Sequence, residues 1–177
     1  MSLKINYSTK ESSKSPANLV LFADEKFNIN GLKKHLSNLE FSYIKDLLKT
    51  SDLKKNLLVF EINSRKKIIL ISVKKDLKNF DIENLGAELF GHINHGKNSE
   101  YLINSDSISG KYENFIGYFL HGLKLKSYEF TKYKTKKEIR IISINIFGIK
   151  NKPSAQSQSK FKALEEGIFY ARDLVSE

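Results

Sequence analysis

Along this chain, short apolar runs typical of strands alternate with segments in which apolar residues recur at the spacing of a helix. Short runs rich in Leu, Ile and Val predict strands. Residues 19–23 form an uninterrupted apolar run between Pro16 and Asp24, which is typical of a strand covered on both faces. Residues 57–63 and 67–73 predict a hairpin-like pair. The other predicted strands are residues 4–7, residues 100–104 and, as the longest, residues 138–147.

Apolar residues at steps of three and four predict helices between these strands. The pattern covers residues 41–48, 81–94, 115–126 and 161–175. Residues 115–126 are apolar almost all round, so this helix should be buried on more than one side.

The last of these helices carries an apolar stripe and two adjacent acidic residues. The start of the stripe is expected to pack on the sheet of the same domain. Glu165 and Glu166 fall outside the stripe and are expected to face solvent. The stripe consists of Phe161, Leu164, Ile168, Ala171 and Val175.

Strands that alternate with helices, several of the strands being apolar on both faces, predict an α/β fold. The expected architecture is a three-layer α/β/α sandwich around a mixed sheet. A length of 177 residues is typical of one domain. Residues 8–16, rich in Ser and Lys and closed by Pro16, predict a loop.

The sequence excludes chemistry that depends on cysteine, and it predicts neither a signal peptide nor a membrane-spanning segment. The chain has no Cys, so disulfides, thiolate nucleophiles and Cys-ligated metal centres are ruled out. The start of the chain is polar and lacks the apolar core of a signal peptide. No apolar run approaches the ~20 residues that a bilayer span requires. A cytoplasmic location is therefore expected.

An excess of lysine makes the chain basic. Lys and Arg number 30 against 20 Asp and Glu, which gives a net charge of +10. The densest basic stretch, residues 128–140, interleaves cations with aromatic rings, as a stacking platform for single-stranded nucleic acid would. Only 3 of the cations are Arg, and Lys, Asn and Ile are abundant throughout, so a compositional bias explains the charge equally well. The candidate nucleic-acid-binding patch comprises Lys132, Lys134, Lys136, Lys137 and Arg140.

The histidines are the candidates for catalysis and metal binding. His92 and His95 lie three residues apart on a predicted helix and could share a metal ion, but no third ligand is evident and a solvated pair fits as well. His121 lies inside an apolar run, which favours a core or interface histidine with its hydrogen bonds satisfied. The glycines are scattered and form no phosphate-binding loop. Residues 1–177 thus predict no catalytic, cofactor-binding or metal-binding residue.

Two segments of the chain carry a family signal. Residues 117–125, followed by Tyr128, Phe130, Tyr133 and Lys134, resemble the G-x-x-L and Y-x-F-x-x-Y-K segment of leucyl (cytosol) aminopeptidases. Residues 166–177 resemble the family's E-G-x-x-x-A-R-D-L-V-N-E, with Ser176 where Asn is usual. Residues 1–110 match the family only in the order and pattern of their elements.

The resemblance implies a macro-domain-like α/β/α sandwich that is the N-terminal accessory domain of a leucyl aminopeptidase. Residues 1–177 would be this single domain, and the terminal helix, about residues 157–177, would lead to a catalytic domain absent from the chain. The parent would be a homohexameric, cytosolic metallopeptidase that removes N-terminal amino acids from peptides with two divalent metals, Mn or Zn. The family's metal ligands and catalytic residues lie beyond position 177, so none transfers to this chain.

Two other functions are compatible with the sequence. A basic nucleic-acid-binding module is the main alternative, and its binding would weaken steeply with salt. A macro-like module for ADP-ribose is less favoured, because the chain lacks Gly-rich phosphate loops.

Overall fold

The computed structural model describes residues 2–8, 18–94, 100–130 and 141–176. In these residues six strands form one sheet in the order β1-β6-β5-β2-β4-β3. Their bounds are β1 Ser2–Tyr7, β2 Asn18–Asp24, β3 Leu57–Asn63, β4 Lys66–Val73, β5 Glu100–Asn104 and β6 Ile141–Phe147.

The sheet is mixed, as predicted. β1, β6, β5, β2 and β4 pair in parallel, and β3 pairs antiparallel with β4 at one edge. The hairpin predicted from the two Ile- and Val-rich runs is therefore confirmed. Of the longest predicted strand, residues 138–140 lie outside the described residues, and so does most of the loop predicted at residues 8–16.

Four α-helices in the described residues agree with the four periodic segments. They are α1 Asn38–Leu48, α2 Asn79–Ile93, α3 Phe115–Lys126 and α4 Ala155–Ser176. α1 begins at a capping box, in which the Ser37 hydroxyl accepts from the Glu40 amide and the Glu40 carboxylate accepts from the Ser37 amide. None of the helices in the described ranges combines the length and apolarity needed to cross a membrane.

The core lies in two layers on opposite faces of the sheet. Val20 and Phe22 of β2 point to the face covered by α2 and α3, whereas Leu19 and Leu21 point to the face covered by α1. β2 is therefore covered on both sides, which explains its uninterrupted apolar sequence. The predicted three-layer α/β/α sandwich is confirmed.

α2 and α3 cross at unusually short range, and glycines make this approach possible. A Cβ added to Gly86 would lie 1.8 Å from the carbonyl oxygen of Phe119. A Cβ added to Gly122 would lie 1.9 Å from the carbonyl oxygen of Glu83. The contact leaves Phe119 and the other inward residues of α3 fully buried, as predicted from the apolar circumference of this helix.

Candidate functional site

The two segments that carry the family resemblance meet in space. α4 packs on α3, and the chain just after α3 contacts the last turns of α4. We call this region the α3–α4 junction and define it by His121, Lys124, Tyr128, Glu165 and Arg172. It contains a buried carboxylate and a group of polar contacts at its far end.

Glu165 is the buried carboxylate of the junction, with only 4% of its surface exposed. Nζ of Lys124 donates to its Oε2 at 2.6 Å, and Nδ1 of His121 lies 3.2 Å from its Oε1. Both carboxylate oxygens thus have a partner, and the charge of Glu165 is balanced by a lysine.

The prediction that Glu165 faces solvent is wrong, whereas the same prediction for Glu166 is confirmed. The face of α4 that contacts α3 runs through Phe161, Glu165, Phe169 and Arg172, at steps of four, four and three. The stripe predicted from the sequence contained only apolar residues and therefore left this face out. Glu165 lies four residues from the aromatic residues at 161 and 169, and this spacing could have placed it on the same face of α4.

His121 is a satisfied interface histidine, as the sequence predicts. Its side chain is buried and its ring centroid lies 5.2 Å from that of Phe161. With one ring nitrogen engaged by a carboxylate and no nucleophile among its described contacts, the geometry favours a structural role.

At its far end the junction is closed by Tyr128, Arg172 and Asp173. The Tyr128 hydroxyl donates to Oδ1 of Asp173 at 2.7 Å. Nη1 of Arg172 donates to the carbonyl of Leu125 at 2.8 Å, and its guanidinium lies 5.4 Å from the centre of the Tyr128 ring. A cation at the C-terminus of α3 is favourable because the last carbonyls of a helix carry partial negative charge.

A second side of α4 presents apolar residues to solvent. Leu164 is 46% exposed, Leu174 55% and Val175 89%. Together with the exposed Ala171 they form what we call the outer stripe. Only Phe161 and Ile168 of the predicted stripe are half-buried, and among the described residues the main partner of α4 is α3 rather than the sheet that the stripe predicts. α4 packs on α3, which itself covers the sheet.

Parallel sheets usually bind ligands in a crevice at the carboxyl ends of their strands. The chain leaves β2 toward one face of the sheet and leaves the adjacent β5 toward the other, which defines a switch point. The 3-10 helix Ser105–Ser107 occupies this position. The Ser107 hydroxyl accepts from the Phe22 amide at 3.0 Å and donates to the Asn104 carbonyl at 2.7 Å.

Several candidate residues of the sequence analysis lie outside the described residues. They are His95, Lys132, Lys134, Lys136, Lys137 and Arg140. The nucleic-acid-binding module therefore stays a prediction from the sequence alone. His92 is exposed near the end of α2, and within the described ranges no three His, Cys, Asp or Glu residues are grouped to hold a metal ion.

The architecture defines an α/β/α sandwich with a long final helix, and comparison with known proteins adds to this description. No family model and no curated protein matches the chain. Among solved structures, a mutant of tomato leucine aminopeptidase matches with a TM-score of 0.73 and 14% identity, over 99% of this chain and 38% of that one.

A second solved structure of similar fold is the bottromycin maturation enzyme BotP in complex with Mn. It matches with a TM-score of 0.59 and 11% identity, over 91% of this chain and 32% of that one. The chain thus spans less than two-fifths of the length of either protein. The resemblance to leucyl aminopeptidases is confirmed at the level of the fold.

Proposed function

We propose that residues 1–177 are the non-catalytic N-terminal accessory domain of a cytoplasmic leucyl aminopeptidase. The complete enzyme would remove N-terminal amino acids from peptides with two divalent metal ions, Mn or Zn. The observation that carries this proposal is the fold match to tomato leucine aminopeptidase over 99% of this chain but only 38% of that one.

The chemistry of the described residues supports a non-catalytic role. Two-metal hydrolysis needs carboxylates that bridge ions ~3.5–4 Å apart and thereby activate a water molecule. The buried carboxylate at the α3–α4 junction, Glu165, lies between His121 and Lys124, and the Lys124 ammonium 2.6 Å from its Oε2 disfavours a divalent metal ion there. The ligands for the two metals would then come from the catalytic domain.

The outer stripe of α4 supports an interdomain role. Val175 and Leu174 are apolar and highly exposed, and covering such side chains with another protein surface is favourable because it removes them from water. In the complete enzyme that surface would be the catalytic domain, while other faces of this domain would contact neighbouring subunits of a hexamer and restrict access to the active site.

Hydrogen exchange tests this placement of the catalytic domain. In residues 1–177 alone, amides around Leu174 and Val175 should exchange quickly, because few buried contacts oppose local opening. In the complete gene product the same amides should exchange at least tenfold more slowly, whereas amides of the buried α3 serve as the reference. Equal exchange at Leu174 and Val175 in both proteins would contradict the placement.

A further inference from the structure

A pocket of about 230 Å³ opens between the edge strand β1, α3 and α4. Its apolar wall is formed by Ile5, Leu120 and Phe161. At ~30 Å³ per water molecule the pocket has room for about eight waters, and it is smaller than the ~300–1,000 Å³ of drug-sized sites. The volume suits one small molecule.

The polar wall of the pocket carries charges of both signs. Glu165 and Lys124 reach it from the α3–α4 junction, and Lys162 adds a second cation from α4. Lys124 uses one of its three N–H donors on Glu165, and each oxygen of Glu165 has a further lone pair. The groups are therefore oriented by one another and still able to bind a ligand.

Tyr7 of β1 also lines the pocket, within electrostatic reach of Glu165. Burial, and then the negative charge of Glu165, raise the pKa of Tyr7 to about 12. The phenol is therefore neutral at physiological pH and retains its O–H donor.

We infer that this pocket binds a free α-amino acid with an apolar side chain. Its ammonium group would lie near Glu165 and Tyr7, and its carboxylate near Lys124 and Lys162. The side chain would pack against Leu120 and Phe161. A small zwitterion with an apolar side chain uses the charges of both signs and the apolar wall together. The inference rests on the pocket and not on the proposed function.

Titration of residues 1–177 with L-leucine, followed by two-dimensional NMR, tests this inference. Saturable shifts of the amides of Ile5, Leu120 and Phe161 are expected in the millimolar range. Leucinamide lacks the carboxylate and 4-methylpentanoate lacks the ammonium group, so each should bind at least fivefold more weakly. Equal affinity for leucine and 4-methylpentanoate, or the absence of shifts at these amides, would overturn the inference.

Two variants separate binding from folding. Lys162→Gln changes a side chain that is 71% exposed, so the fold should persist, and leucine affinity should fall about three- to tenfold while leucinamide binding stays unchanged. Lys160→Gln, an exposed change on the same helix outside the pocket, is the matched control. Ile5→Trp should fill the pocket and abolish binding. Unchanged leucine affinity in Lys162→Gln or in a folded Ile5→Trp would contradict the site.

Discussion

Replacing Gly122 with alanine is expected to destabilise the protein by about 3 kcal/mol. The added methyl group would lie 1.9 Å from a backbone oxygen of α2, so the two helices must move apart. Their contact buries much of the core on that face of the sheet, and α3 cannot shift without disturbing Phe22 and Phe119. Because the free energy of unfolding of a native protein is usually only ~5–15 kcal/mol, the expected loss is a large fraction of the total stability.

Gly91→Ala is the matched control for this substitution. Gly91 also lies in the paired helices, on α2, but a Cβ there would meet no atom within 4 Å. Because alanine favours a helix over glycine by ~0.8–1.0 kcal/mol, Gly91→Ala should stabilise the protein slightly. Urea unfolding of both variants measures the difference. A Gly122→Ala variant as stable as the wild type would mean that α2 and α3 do not approach so closely.

Replacing Glu165 with alanine is expected to cost about 2–3 kcal/mol of stability. The change leaves Lys124 and His121 at a buried interface without their common acceptor, and breaking a fully buried pair costs ~3–5 kcal/mol. Lys124 is 31% exposed and recovers part of that loss from water. Glu165→Gln keeps the size and one acceptor of the side chain, so its loss should be smaller.

The neighbouring glutamate provides the control. Glu166 is exposed, and its Oε1 lies 3.9 Å from Nζ of the equally exposed Lys162, so Glu166→Ala should change the stability by less than ~0.5 kcal/mol. Thermal or urea unfolding of the two alanine variants is the measurement. Equal losses at 165 and 166 would show that Glu165 is not buried between α3 and α4.

The layers of this fold could be predicted from the sequence because burial on two faces leaves a clear pattern. The uninterrupted apolar run of β2 and the apolar circumference of α3 each identify a buried element, and both predictions are confirmed. These patterns are local: each can be read within one element, and each reflects the number of covered faces.

The α3–α4 junction could not be predicted in the same way, because its stability depends on partners distant in sequence. Glu165 is stable in its buried position only because Lys124 and His121, more than forty residues earlier, complete its contacts. Likewise Gly86 and Gly122 look unremarkable among scattered glycines until α2 and α3 are seen to cross at these positions. The family resemblance did point to the junction, because the two segments that carry it contact each other through Tyr128 and Asp173.

The central claim, that this domain belongs to a metallo-aminopeptidase without contributing catalytic residues, is tested most directly by peptidase activity. The complete product of the gene should release N-terminal leucine from leucyl-p-nitroanilide when supplied with Mn²⁺ or Zn²⁺, and lose this activity to a chelator. Residues 1–177 alone should show no turnover with either metal, because the bridging carboxylates of a two-metal site would lie elsewhere. A complete product that is inert with both metals, or turnover by residues 1–177 that survives repurification, would contradict the account.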